Sequence, residues 1–440
     1  MKSKRLLTLL IAGIAASLHI VSAEQYTLEQ CVSTALRNNL QVHTQQNAAE
    51  SQRIQYKQAK QNLSPSVNGY ASQSLSWGRS TGVDNISRSQ NIANTGLGLN
   101  ANLTLFDGLA MKFNIDQAKA QLNQSEASLE QIRLDITINI TAMYLQVLLN
   151  KELEHVAEVQ LEDTRRKVER AEALVRSNRL AQGELYTLEA QAAKEENSLI
   201  QAQNTTKLSL LDLAQAMELQ YSPDFDIAPP QQADIEAGLL PDNNEVYNQA
   251  LNKRPEIKAA KYNLSAQQIA LKTAKAAYSP TLTFGAGVST GYYHLYGADN
   301  AAFGKQLSDN FSTNIALNLN IPLFDRMRTP NNVKQQELRI SNARIQLEQT
   351  KHDLRKKIDQ AYYNAVAAHS RQQSAEKALI SAQEAYHYAE QKYEAGRSTT
   401  YEFYEAKRTL QQAESEVLQS KYNYLFKLRI LEYYSNSLNH

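Results

Sequence analysis

From Asn94 to Leu105 the chain alternates strictly, with Leu97, Leu99, Ala101, Leu103 and Leu105 on one side and Gly98, Asn100, Asn102 and Thr104 on the other. Period two with one greasy and one small, polar side predicts a β-strand over 94–106. After Phe106-Asp107-Gly108 come roughly 70 residues without a proline, rich in Ala, Gln, Glu, Leu and Arg, which are good helix formers. Asp107 is placed to cap that helix by accepting the orphan N–H groups of its first turn. At 1.5 Å per residue the helix would be about 100 Å long. The same order then recurs. Residues 311–324 alternate as a strand, Leu323-Phe324-Asp325 stands where Leu105-Phe106-Asp107 stood, and a second rod runs from about Asn331 to Glu394. Asp325 takes the capping role of Asp107.

Around these pairs the rest of each half falls into place. Tyr26–Leu40 reads as an amphipathic helix, capped by Thr27 with Gln30 in capping-box position, and a second helix ends before Ser64-Pro65. A strand over 66–77 and a Ser-, Asn- and Gly-rich loop over 78–91 precede the first clean strand. The rod turns near Ser177-Asn178-Arg179 and a return helix follows from about Ala181 to Leu219. Pro223, Pro229, Pro230 and Pro241 mark a linker. Ser279-Pro280 then repeats Ser64-Pro65 at an offset of 215, and a strand over 281–293 follows. Later landmarks sit 218 apart, among them Phe106-Asp107 with Phe324-Asp325 and Asn178 with Gly396. A constant offset that changes only in a loop predicts a tandem duplication, with repeats at 24–230 and 231–440.

Composition narrows the setting. Lys2, Lys4 and Arg5, the apolar run Leu6–Leu18 and Val21-Ser22-Ala23 predict a removed secretory signal over 1–23. No other segment offers 18 consecutive apolar residues, so α-helical spans are not expected. Net charge is +1 with the signs well mixed, which gives no footprint for nucleic acid. Cys31 is the only cysteine, so no internal disulfide can form, and its place on a helix eight residues past the predicted cut is wrong for a lipidated first residue.

The alternating strands have two possible homes, a soluble sandwich or a membrane barrel whose apolar face meets lipid. Their length suits a tilted outer-membrane strand, with Phe106 and Phe324 at one end and Trp77, Tyr292, Tyr293 and Tyr296 at the other, as interfacial girdles require. Four strands per chain cannot close a barrel, and open edges in lipid cost several kcal/mol per unpaired group. Several chains must share one wall: two copies give eight strands, three give twelve. The rods carry an apolar stripe, including Leu122, Leu129 and Ile136, which must be buried against neighbours. An ordinary coiled coil would do this, as would a helical tube continuous with the barrel. Chemistry is absent from the pattern. The eight histidines are scattered, and neither a zinc-hydrolase motif nor a phosphate-binding loop occurs. Neither an enzyme nor a cofactor is expected.

Thr27-Leu28-Glu29-Gln30, Ala35-Leu36-Arg37-Asn38-Asn39, the Ser-Pro boundaries, the Leu-Phe-Asp strand ends and the duplication together resemble the TolC-like outer-membrane efflux protein family over essentially the whole mature chain. The resemblance implies a homotrimer with a twelve-stranded transmembrane β-barrel on a long periplasmic α-helical barrel. It implies a passive exit duct of a tripartite efflux or type I secretion system, working with a periplasmic adaptor and an inner-membrane pump or ABC transporter. Family members close at the periplasmic tip, here the turns Val175–Gln182 and Glu394–Thr400, with Asn178 and Gly396 at equivalent places. The family pattern of the second turn is met by Tyr393, Gly396, Glu402 and Glu405, with Glu for the usual Asp, and Glu184 lies 218 before Glu402. Ser398 stands where the family has an arginine, and Arg397 is one position early. Threefold repetition would place rings of these carboxylates around the mouth, favouring cations. The rival expectation is a secreted or periplasmic coiled-coil structural protein without channel activity.

Overall fold

The computed structural model describes residues 25–81, 85–89, 91–228 and 240–435. The signal predicted over 1–23, Pro229, Pro230 and the repeat boundary at 230/231 lie outside the described residues. In chain order the first elements are β1 (Gln25–Tyr26), α1 (Leu28–Asn38), α2 (Leu40–Gln61), β2 (Ser66–Ser76), β3 (Arg79–Thr81) and β4 (Ser87–Ser89). Then come β5 (Ile92–Phe106), α3 (Ala110–Arg176), α4 (Gln182–Ala216) and β6 (Asp226–Ile227). The second part runs α5 (Asn243–Lys253), α6 (Pro255–Ala276), β7 (Thr281–Leu295), α7 (Phe303–Asp309), β8 (Ser312–Asn320), α8 (Arg328–Glu394) and α9 (Thr400–Ser435). These divide into two compact units, one of residues up to Thr44 with Glu130–Arg254 and those from His352 on, the other of Gln45–Leu129 with Pro255–Lys351.

The second unit holds an antiparallel sheet of four strands in the order β2-β5-β7-β8. Its alternation sorts side chains as the sequence expects. Val67, Leu75, Leu97, Leu99, Phe284, Ile315 and Leu317 share one face, and Asn68, Asn100, Gly287 and Asn314 share the other. The apolar face is bare in the isolated chain, with Ile315 77% and Leu317 64% exposed. The last strand is shorter than the sequence reading of 311–324. It stops at Asn320 because Pro322 has no N–H to give to a ladder. The loop expected at 78–91 contains the small hairpin β3–β4, paired from Arg79↔Ser89 to Thr81↔Ser87.

Both long helices have 67 residues. Neither starts directly after its aspartate, which corrects the simple N-cap expected at Asp107 and Asp325. Two left-handed residues intervene each time: Gly108 (φ 69°) and Leu109 (φ 71°) in one copy, Arg326 (φ 57°) and Met327 (φ 63°) in the other. The carboxylates still reach the helix. Asp107 Oδ2 accepts the Met111 N–H at 2.8 Å and Asp325 Oδ2 accepts the Thr329 N–H at 2.8 Å. Thr329 thereby holds the Asp325 carboxyl below its usual range. A left-handed non-glycine residue costs roughly 1–2 kcal/mol, so this bend is a specified feature.

The core of the first unit is built where helix stripes meet. Ile140, Tyr144, Val147 and Leu148 of α3, Leu213 of α4 and Leu425 and Leu431 of α9 are buried, each side chain contributing about 1.5–3 kcal/mol. One 18-residue window of α3 is apolar enough by composition to cross a membrane, but its helix spends Ile136, Ile140 and Tyr144 on this core. The Thr27 capping box forms as expected, through Gln30. Cys31 is fully buried, and burial pushes its thiol up to about 12. The parallel pair β1–β6, Gln25↔Asp226 and Tyr26↔Ile227, was not legible in the sequence. Replacement Asp107→Ala is expected to cost about 1 kcal/mol in chemical denaturation of the detergent-solubilised protein, and Asp107→Asn less.

Candidate functional site

The two helix turns of the first unit close by the same hydrogen bonds. Asn178 (φ 55°) donates its N–H to Val175 O and Arg179 to Leu174 O, each at 2.9 Å. Gly396 (φ 68°) donates to Tyr393 O at 3.0 Å and Arg397 to Lys392 O at 2.8 Å. This pairing of the last free carbonyls needs a left-handed residue, which glycine and asparagine accept at least cost.

The residues singled out in the sequence take different places around the second turn. Tyr393 is half-buried and stacks on Phe403, ring centroids 4.9 Å apart, so its ring serves packing. Phe403 is buried and also touches Tyr386 and Tyr404. Glu402 is exposed and accepts a hydrogen bond from Ser398 Oγ at 2.7 Å, while its N–H donates to Thr399 Oγ1 at 3.3 Å. Ser398, in the place of the family's arginine, is thus bonded to the carboxylate expected at the mouth. Glu405 lies one turn further on and binds Arg408 Nη2 through both oxygens, at 2.7 and 2.8 Å. Glu184 is half-buried in the first turn of α4. Among the described residues no hydrogen bond or ion pair joins it to Tyr393, Glu402 or Glu405.

Next to this turn lies a polar cluster that sequence reasoning missed. Lys407 Nζ donates to Thr164 Oγ1 at 2.6 Å and stands 3.5 Å from Asp163 Oδ2 and 3.4 Å from Glu195 Oε1. The Lys407 and Glu195 side chains are each only 7% exposed. Gln191 adds a hydrogen bond to Glu195 Oε1 at 2.8 Å, whereas Oε2 is buried without a partner. Lys167 bridges Asp163, at 3.0 Å, to the Tyr386 hydroxyl, at 3.1 Å. Helices α3, α4, α8 and α9 are therefore tied through one buried network. A cavity of about 230 Å³ beside it is lined by Glu195, Lys407, Tyr404, Glu405 and Arg408 among others.

The electrostatics follow from this packing. Burial works to raise the Asp163 carboxyl, but the hydrogen bond from Lys167 and the charges of Lys167 and Lys407 hold it lower than usual. Lys167, despite burial, is raised by Asp163 and Tyr386. Burial pushes the Tyr404 phenol well above its ordinary range. The cluster left one trace in the sequence. Lys407 follows Phe403 by four positions and Glu195 follows Leu188 by seven, so both charges sit where an apolar stripe should continue. Among the described residues no group of three or more His, Cys, Asp or Glu is disposed to hold a metal ion.

Replacement Lys407→Met leaves Glu195 without its buried cationic partner, while Asp163 keeps Lys167, and is expected to destabilise the first unit by about 3–5 kcal/mol. Adding Glu195→Leu should recover most of that in the same unfolding experiment. Because the folded Asp163 is depressed, its stabilisation is present above its unfolded value of about 3.9 and is lost as pH falls through the lower folded value. Thermal melts should therefore drop below about pH 4, and less steeply in Asp163→Asn.

Comparison with known proteins places the chain. The sequence profile described as "Outer membrane efflux protein" matches it at residues 31–218 and again at 246–434. Outer membrane efflux protein BepC of Brucella suis biovar 1 (strain 1330) is 26% identical over 351 residues, 78% of this chain and 73% of BepC. Cation efflux system protein CusC of Escherichia coli O157:H7 is 24% identical over 403 residues, 89% of this chain and 82% of CusC. A crystal structure of CusC, described with transmembrane channel formation, superposes with a TM-score of 0.78 at 18% identity, covering 93% of this chain and 91% of that one. The fold, the two halves of the profile match and the curated relatives agree, and the chain belongs to the outer membrane efflux protein family.

Proposed function

We propose that three copies of this chain close a twelve-stranded β-barrel in the outer membrane and a helical barrel in the periplasm, and that the assembly is a passive exit duct. The family is one of channel proteins, so the chain is a conduit and not an enzyme. The observation that carries the reading is the sheet of the second unit. Its apolar face is exposed at Leu99, Ile315, Leu317 and Leu319, and its edge strands β2 and β8 have no further partner within the described chain. Lipid against that face and neighbouring chains at those edges relieve both costs at once. The twofold match of the family profile supports a tandem repeat over 24–230 and 231–440, as do the paired left-handed residues at the turns and before the long helices.

The duct opens at the helix turns, on this reading, where Asn178 and Gly396 end α3 and α8. A periplasmic adaptor and an inner-membrane pump or ABC transporter supply the energy, in keeping with relatives named for efflux systems. Glu402 and Glu405, with Glu184 from the first turn, ring the mouth and favour cations. Glu405 shares its charge with Arg408, so Glu402 carries more of the effect. The conduit reading is preferred to a coiled-coil structural protein, whose sheet would have no reason to leave its apolar face bare.

In planar bilayers Glu402→Gln with Glu405→Gln should lower the cation-over-anion permeability ratio severalfold, with Glu402→Gln alone giving most of the change. An unaltered ratio would remove both residues from the pore. Extraction in mild detergent should yield a heat-modifiable trimer from outer-membrane fractions; a monomer released by salt would contradict the duct.

A further inference from the structure

The four strands of the main sheet contain no Asp, Glu, Lys or Arg in either face. Apart from Ile92 and Leu295, paired at one end, their polar face offers only amides, hydroxyls, glycines, alanine and tyrosine. One level is distinct. Asn68 on β2 pairs with Asn100 on β5, Asn100 with Gly287 on β7, and Gly287 with Asn314 on β8. The row crosses the whole sheet with carboxamides on three of its strands. Gly287 is what lets it close up. A Cβ there would lie 2.6 Å from Asn314 Oδ1 and 2.7 Å from Asn100 Oδ1, so both amides lean over the glycine from either side. The rows next to it hold fewer carboxamides: Ser66, Asn102, Gly285 and Ala316 on one side, and Tyr70, Gly98, Ser289 and Ser312 on the other, with the two serine hydroxyls 2.9 Å apart.

We propose that this row is a carboxamide belt around the barrel lumen, and that it sets what the barrel admits. The inference rests on the trimeric barrel reading, in which the polar face turns inward and the belt is repeated by each chain. A carboxamide presents two N–H donors and an acceptor oxygen. It can exchange hydrogen bonds with water, or with hydroxyl and amide groups on a solute, without preferring either sign of charge. Rings of carboxylates or ammonium groups, in contrast, select by sign. The belt therefore handles polar cargo rich in hydroxyl and amide groups and leaves charge selection to the helical part. Against an uncharged wall, one added carboxylate per chain would dominate the local potential, because nothing fixed in the strands opposes it.

Three readouts on the intact protein separate the belt from the barrel. With Cys31 buried, a membrane-impermeant maleimide should label Asn100→Cys in lipid vesicles and spare Leu99→Cys. The reverse pattern would overturn the barrel reading and the belt together. Given that labelling, Asn100→Asp and Asn314→Asp should each raise the K⁺/Cl⁻ permeability ratio about threefold or more over the parent, while Asn100→Gln leaves it unchanged. A ratio unmoved by either aspartate would overturn the belt and leave the barrel standing. Finally, single-channel blockades by maltohexaose should shorten severalfold in Asn100→Ala with Asn314→Ala. Blockades of unchanged duration would show that the amides do not bind passing hydroxyl groups, and would likewise overturn the belt alone.

Discussion

A sheet of four strands with one apolar face and two free edges cannot be left as it is in water or in lipid. Apolar surface exposed to water costs about 25 cal/mol per Å², and an unpaired backbone group in hydrocarbon costs several kcal/mol. Leu99, Ile315, Leu317 and Leu319 create the first cost, and the outer sides of β2 and β8 create the second. The arrangement proposed above removes both: lipid outside, and identical chains at each edge. In that proposed assembly the 67-residue helices that follow β5 and β8 leave a ring of strands, in keeping with a strand being joined to a long helix twice in one chain.

Charge is distributed in the opposite sense. The main sheet has none, whereas the first unit buries Lys407 against Glu195, Asp163 and Thr164 close to the second turn. Such a network is costly to desolvate and adds little net stability over an apolar core. The partners of Lys407 lie on α3 and α4, so it ties α9 to both. On the proposed reading, in which the duct opens at this turn, these directional bonds hold the neighbouring helices in register.

Much of this was legible in the chain and some was not. Alternation around Leu97–Leu105 and Ile315–Leu319 gave the strands, and asparagine or glycine at 178 and 396 marked the turns, because period and left-handed backbone are local properties. Pro322 is equally local: it ends β8 at Asn320, short of the stretch to Phe324 that alternation alone would include. Leu109, Arg326 and Met327 adopt left-handed backbone without being glycine, which no local preference announces. The pair β1–β6 joins residues 201 positions apart through two residues only, too little pattern to detect. Lys407 and Glu195 carry charge, which on a helix is usually exposed, and only their place on an apolar stripe sets them apart. Tyr393 was expected at the pore, and its stacking on Phe403 depends on how two helices meet.

The direction of the apolar face decides between a conduit and any other account. With Trp77, the only tryptophan, replaced by Phe, a single tryptophan can be introduced as Leu317→Trp or as Asn318→Trp on opposite faces of β8. In bilayers of brominated lipid, fluorescence at position 317 is expected to be strongly quenched and resistant to aqueous acrylamide, with the opposite behaviour at 318. Quenching by acrylamide but not by lipid at position 317 would contradict the membrane wall on which the duct depends.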